Sequence, residues 1–174
     1  EGSLRLWAKL DNPVAYENLN ANNVWNNING LIYSKTLSLN TCDVSQIIKN
    51  MYGDEFKCVS IVKKLWYQFK DHKWHELDSP VELRIKCKEK IYGLYKKAIL
   101  EYCGKENADL KKAQALYNKV EKLRDTGYLN SVMKEADNDF FDITQEFYNS
   151  LNENHNLICF KNGVYDLSKD KNNF

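Results

Sequence analysis

From Ser79 to Gly104 the chain carries one apolar stripe, Leu83, Cys87, Ile91, Leu94, Tyr95, Ala98, Ile99 and Tyr102, recurring at three- and four-residue spacing. Residues so spaced share one face of an α-helix, so the stripe predicts a long amphipathic helix whose apolar side must be covered. Ser79 reads as its N-cap, Pro80 as its first helical residue, Glu82 as an acidic first turn and Gly104 as its terminator. The covering elements follow in the chain. A second helix runs from about Ala108 to Arg124, with Ala113, Leu116, Tyr117, Val120 and Leu123 on one face, and Thr126-Gly127 ends it. A third runs from Leu129 through Asp137 and a fourth from about Phe141 to Leu151. Short connections between such helices favour an antiparallel bundle.

Before this run, Thr41-Cys42-Asp43 supplies an N-cap candidate ahead of Val44, Ile47, Ile48 and Met51, a short helix between Leu37 and Asn50 that Gly53-Asp54 ends. The period then changes. Phe56, Cys58 and Ser60 alternate with Lys57 and Val59, and Leu65-Trp66-Tyr67-Gln68-Phe69 and Lys73-Trp74-His75-Glu76-Leu77 flank the polar turn Lys70-Asp71-His72. This is a strand followed by an aromatic hairpin. A second hairpin, Leu157 to Leu167, surrounds Asn162-Gly163, a pair suited to a turn in which both residues take positive φ. Within residues 1–30, Leu4, Trp7, Leu10, Tyr16, Leu19, Trp25 and Ile28 form two short helical pieces, broken at Asp11-Asn12-Pro13 and by the Asn-rich stretch 18–23. The expected fold class is mainly α, an antiparallel helical bundle with two small β-hairpins.

Composition closes several doors. With 25 Lys and Arg against 24 Asp and Glu, net charge is +1, so any attraction to nucleic acid is local rather than global. A hydrophobic share of 43% supports a folded core rather than a disordered chain. No apolar run reaches the roughly 18 residues of a membrane span, and no signal peptide is visible. Five cysteines without a paired C-x-x-C spacing read as free thiols of a reducing compartment. The chain opens on Glu1 and closes in a polar run at Phe174, which reads as a piece of a longer polypeptide.

The order of parts resembles a known family. Leu157-Ile158-Cys159-Phe160-Lys161-Asn162-Gly163-Val164-Tyr165-Asp166-Leu167 is similar to the F-x-N-G-V-Y-D-L hairpin leading into the superfamily 3 helicase motor of poxvirus-type and giant-virus primase-helicases and of similar phage and plasmid proteins. Trp66-Tyr67-Gln68-Phe69 with Trp74 resembles the W-Y-x-F-x-x-x-x-W hairpin of the connector, or collar, domain before that motor. A long helix opening near Pro80-Val81-Glu82-Leu83-Arg84 follows in both. Leu6-Trp7-Ala8-Lys9 and Trp25 resemble, more weakly, the end of a primase-associated region. The resemblance implies three parts: 1–30 as the tail of that region, 31–156 as the helical connector, and 157–174 as the start of the hairpin into the motor. The family hairpin positions are Trp66, Phe69, Trp74, Phe160, Asn162, Gly163, Tyr165, Asp166 and Leu167.

None of the seven glycines stands in a G-x-x-x-x-G-K-[ST] phosphate loop, and no defensible primase carboxylate triad is visible. The resemblance therefore implies an ATP-dependent helicase with primase as the whole protein, with primase chemistry before this segment and ATP and Mg in a motor after it. No cofactor, metal or catalytic residue is expected within the segment. Its implied role is to support ring assembly and guide DNA, single-stranded or forked, to the motor. The implied partners are DNA, other copies of the protein and other replication proteins, not a membrane. The implied setting is intracellular, the host cytoplasm or a viral replication site. The alternative is a protein-interaction scaffold of the replication complex without DNA contact.

Trp66, Tyr67, Phe69 and Trp74 interleaved with Lys64, Lys70, His72 and Lys73 have the composition of a single-strand stacking platform. Rings packing across a half-buried hairpin give the same pattern and are the preferred reading. Lys86, Lys90 and Lys97, with Arg84, Lys88 and Lys96 nearby, suggest a basic ridge opposite the stripe; a solvated face offset by Glu82, Glu89 and Glu101 is the simpler account. The residues expected to carry nucleic-acid binding are thus Lys64, Lys70, Lys73, Trp74, Lys86, Lys90 and Lys97. His72, His75, Cys58 and Cys87 fit no ordinary zinc spacing. Asp137, Asp139 and Asp142 read as helix-capping carboxylates rather than a two-metal centre.

Overall fold

The computed structural model describes residues 12–16, 18, 22, 26, 39–71, 73–160 and 163–168. Most of the two short helical pieces expected in residues 1–30 lies outside them, as do His72 and Asn162.

The described part is mainly α. Helix α1, Thr41–Tyr52, leads into strands β1, Phe56–Ser60, β2, Leu65–Lys70, and β3, Lys73–Leu77. Helix α2, Val81–Lys86, passes through a π-helical turn, Cys87–Ile91, into α3, Tyr92–Cys103. Then come α4, Leu110–Glu121, a 3₁₀ turn at Lys122–Arg124, α5, Thr126–Asp139, and α6, Glu146–Ser150. The last elements are β4, Leu157–Phe160, and β5, Gly163–Asp166.

The strand expected ahead of the aromatic hairpin is β1, and it pairs with that hairpin, making a three-stranded antiparallel sheet in the order β1-β2-β3. The free edge of β1 is closed by the chain after α5: Cys58 N donates to Phe140 O at 3.1 Å and Asp142 N to Cys58 O at 2.9 Å. That contact uses Phe141, so the fourth helix does not begin there and shrinks to Glu146–Ser150.

The stripe of the long helix is buried, with Leu83, Cys87 and Ile91 fully enclosed and Tyr95, Ala98 and Ile99 nearly so. Leu83, Cys87, Ile91 and Tyr95 are four apart, and in a straight α-helix of 100° per residue this spacing drifts by about 120° from first to last. The π-turn inserts one residue and removes about 100° of that drift, keeping all four side chains on the core. Packed against them are Val44 and Ile48 of α1, Phe56 and Trp66 of the sheet, Leu116 and Val120 of α4, and Val132 and Ala136 of α5. Helix α1 lies along α5, and α3 along α4.

Several boundaries differ from the sequence reading. Asn40, not Thr41, caps α1, its side chain accepting from Asp43 N at 2.7 Å. Gly53 has φ −62°, so no left-handed terminator ends α1; glycine fits because a Cβ would stand 2.6 Å from Lys49 O. Gly104 is likewise right-handed, at φ −76°. Ser79 makes no side-chain cap and α2 starts at Val81, since Pro80 occupies the capping position with ψ 57°. Thr126-Gly127 opens α5 rather than ending α4, because Asp125 accepts from Tyr128 N at 2.8 Å and so caps a new helix. Asp109 does the same for α4, starting it at Leu110 rather than near Ala108. In the second hairpin Gly163 pairs with Phe160 and belongs to β5. Among the described residues, no helix is long and apolar enough to cross a membrane.

Candidate functional site

The aromatic hairpin is built by strand alternation. Trp66 points into the core, fully buried, with its ring 5.4 Å from Phe140. On the other face Phe69 stands opposite Trp74 in the register, with ring centroids 5.3 Å apart, edge to face. Helix α6 covers that face: Phe147 lies 4.6 Å from Trp74 and 5.6 Å from Tyr67. Tyr67 also donates its hydroxyl to Glu76 at 2.8 Å, and burial with that bond pushes its pKa up to about 12. Trp66 is thus separated from the other three rings, of which Phe69 meets Trp74 while Trp74 and Tyr67 meet Phe147, and Trp74 keeps only part of its surface in solvent.

The lysines separate into two groups. Lys64, Lys70 and Lys73 are exposed, Lys64 in the β1–β2 turn with φ 52° and Lys70 facing Lys73 across the β2–β3 turn. Lys70 Nζ also lies 3.8 Å from Glu82. Lys86 belongs to the fold: its Nζ sits 2.8 Å from Glu55 Oε1, with the rings of Tyr52 and Phe56 at 4.9 and 5.8 Å. Glu55 is itself buried and also accepts from Gln68 Nε2 at 3.1 Å. Lys90 and Lys97 are exposed, yet no single ridge joins them to Lys86. In a continuous α-helix Lys86 and Lys97 would stand about 20° apart, and the π-turn between them opens this to about 80°.

The three aspartates have three separate jobs. Asp142 holds the start of α6, accepting from Phe147 N at 2.9 Å. Asp139 ties α5 to α1, accepting from Ser45 Oγ at 2.5 Å and Gln46 Nε2 at 2.6 Å. Asp137 is half-buried beside Trp66, and burial raises its carboxyl above the usual range against the opposing pull of the Trp66 N–H and Lys64. Capping thus describes Asp142 alone. Burial lifts the thiols of Cys58 and Cys87 to about 11 and about 12, away from nucleophilic or metal-binding thiolate. His75 faces the Lys70 carbonyl at 3.2 Å. Among the described residues no group of three or more His, Cys, Asp and Glu is placed to hold a metal ion.

The second hairpin presents Leu157, Ile158, Phe160, Tyr165 and Leu167 at 40–53% exposure. Leu167 N donates to Asn156 O at 2.8 Å, and Asp166 accepts from Ser168 N at 3.0 Å. Of the family hairpin positions, Trp66, Phe69 and Trp74 are structural within the sheet, while Phe160, Tyr165 and Leu167 are largely open.

Glu55 escaped the sequence reading. It pairs with Lys86 across 31 residues, a separation that no helical or strand spacing signals.

A protein family described as D5 N terminal like matches residues 45–173. Over 178 aligned residues, 95% of this chain, the sequence is 29% identical to a protein of Acanthamoeba polyphaga mimivirus named "Putative helicase L207/L206". The chain spans 17% of that relative's length.

Proposed function

The chain belongs to the D5 N terminal like family, and from that membership we propose that it is the connector, or collar, of a viral-type DNA primase-helicase. It supports ring assembly and guides a DNA strand toward an ATP- and Mg-dependent motor carried elsewhere in the whole protein. The observation that carries the reading is the family match, which runs from α1 through both hairpins in one stretch. The mimivirus relative's name and its much greater length support a helicase context. Two features of the geometry suit the role. The Leu157–Asp166 hairpin offers an apolar surface suited to a neighbouring domain or subunit, and Lys70 and Lys73 stand exposed side by side at the β2–β3 turn, with Lys64 exposed at the opposite end of β2. Primase chemistry, ring size and a viral replication site as the setting belong to the same proposal.

A scaffold that never touches DNA is the second reading, favoured by one observation: Lys86 and Trp74, two of the expected contacts, are engaged within the fold. Light scattering on the 174-residue chain and on a version extended into the motor tests assembly. A ring-sized mass of the extended version supports the collar, and a monomer at every concentration contradicts it. Binding to single-stranded DNA separates the two readings.

A further inference from the structure

Between the sheet, α2 and α5 opens a cavity of about 470 Å³ whose wall includes Lys64, Arg84 and Lys134. None of these three side chains forms a hydrogen bond or ion pair with the described residues, although Arg84 is half-buried. Asp78 and Asp137 stand in the same wall, so three cations against two carboxylates leave the cavity positive. Trp66, fully buried, also lines it. The Trp66 indole Nε1 is buried and is directed toward Asp137, whose carboxylate its N–H favours, although the two fall short of a well-formed hydrogen bond.

A concave site with unpaired donors favours a ligand that brings acceptors, and a guanidinium fork matches two oxygens of one phosphate. The volume exceeds a bare phosphate and falls in the range of small-molecule sites. We propose that this cavity binds the phosphate of a nucleotide unit, with Arg84 as its main anchor and Lys64 and Lys134 as flanking charges. Asp137 opposes the bound anion, which makes it a tuning residue with a predicted sign. The unit comes from a DNA strand if the guiding role holds, and from a free nucleotide otherwise; the first source rests on the function proposed above.

The test follows the Trp66 indole N–H resonance of the ¹⁵N-labelled 174-residue chain during titration with inorganic phosphate, thymidine monophosphate and a twelve-residue oligothymidylate. Expected is movement with all three. Arg84→Gln weakens the effect about tenfold, as for loss of a charged, bidentate contact. Lys134→Gln, an exposed change that leaves the core intact, weakens it about threefold, and Asp137→Asn strengthens it about threefold by removing one repelling charge. Movement with phosphate and the mononucleotide but not the oligonucleotide supports the cavity with a free nucleotide as ligand and counts against DNA guidance. Oligonucleotide binding detected by anisotropy while Trp66 stays still overturns the cavity and leaves DNA guidance standing. No movement with any probe also overturns it, as does an unchanged response in Arg84→Gln and Asp137→Asn variants that melt like the parent.

Discussion

Lys86 Nζ lies 2.8 Å and 3.0 Å from the two carboxylate oxygens of Glu55, joining the long helix to the start of the sheet through a pair whose side chains are 18% and 6% exposed. Removing one partner of such a pair leaves the other charged and enclosed. Glu55→Gln is therefore expected to cost about 3 kcal/mol in urea unfolding. Replacing both, Glu55→Gln with Lys86→Met, is expected to cost less than the two single changes added together. Additive costs would show that the two residues do not depend on each other.

The π-turn makes an unusual deletion tolerable. Removing exposed Lys88 gives Leu83, Cys87, Ile91 and Tyr95 the successive separations 4, 3 and 4, which a plain α-helix keeps within an arc of about 60°, against about 120° for the uninterrupted four-residue spacing. The deletion should leave Tm within a few degrees of the parent, whereas deleting Lys97 from α3 turns either Tyr95 or Ala98 and Ile99 by about 100° away from the core and should unfold the chain. Equal damage from both would contradict the account of the turn.

Burial raises the Cys58 thiol to about 11 and Cys87 to about 12 from an ordinary 9.0. The folded state thus holds the protonated thiols, and their contribution is complete below pH 9 and lost as pH rises through 11 to 12. The urea midpoint should fall over that window. Iodoacetamide at pH 8, with peptides mapped by mass, should label Cys42 and Cys103 while Cys58 and Cys87 react only on unfolding.

Trp66 and Trp74 sit eight residues apart in one motif and differ in burden. Trp66→Ala empties a fully buried site and should cost about 3–5 kcal/mol. Trp74→Ala removes edge-to-face contacts with Phe69 and Phe147 at a partly open position and should cost about 1–2 kcal/mol, measured by the same urea unfolding. A larger loss at Trp74 would invert the packing described here.

Local periodicity carried most of the fold. The stripe from Leu83 to Tyr102 and the alternation around Trp66 were legible because each depends on neighbours a few residues away. Helix ends were less so: Thr-Gly at 126–127 reads as a stop until Asp125 is recognised as the stronger cap. The four-residue spacing from Leu83 to Tyr95 held the signal of the π-turn, and with it the loss of the Lys86 to Lys97 ridge. Partners distant in sequence, Glu55 with Lys86 and Lys64 with Arg84 and Lys134, leave no local pattern. The family hairpins were legible as motifs, while their packing against Phe147 was not.

The role proposed for this segment is to guide DNA toward a motor carried elsewhere in the whole protein. Fluorescence anisotropy of the 174-residue chain with a labelled twenty-residue oligothymidylate tests it most directly. The account predicts saturable binding at about 50 mM salt that weakens about tenfold by 200 mM, as expected when a few phosphates are neutralised. Absence of binding at 50 mM salt, or binding indifferent to salt, would contradict it.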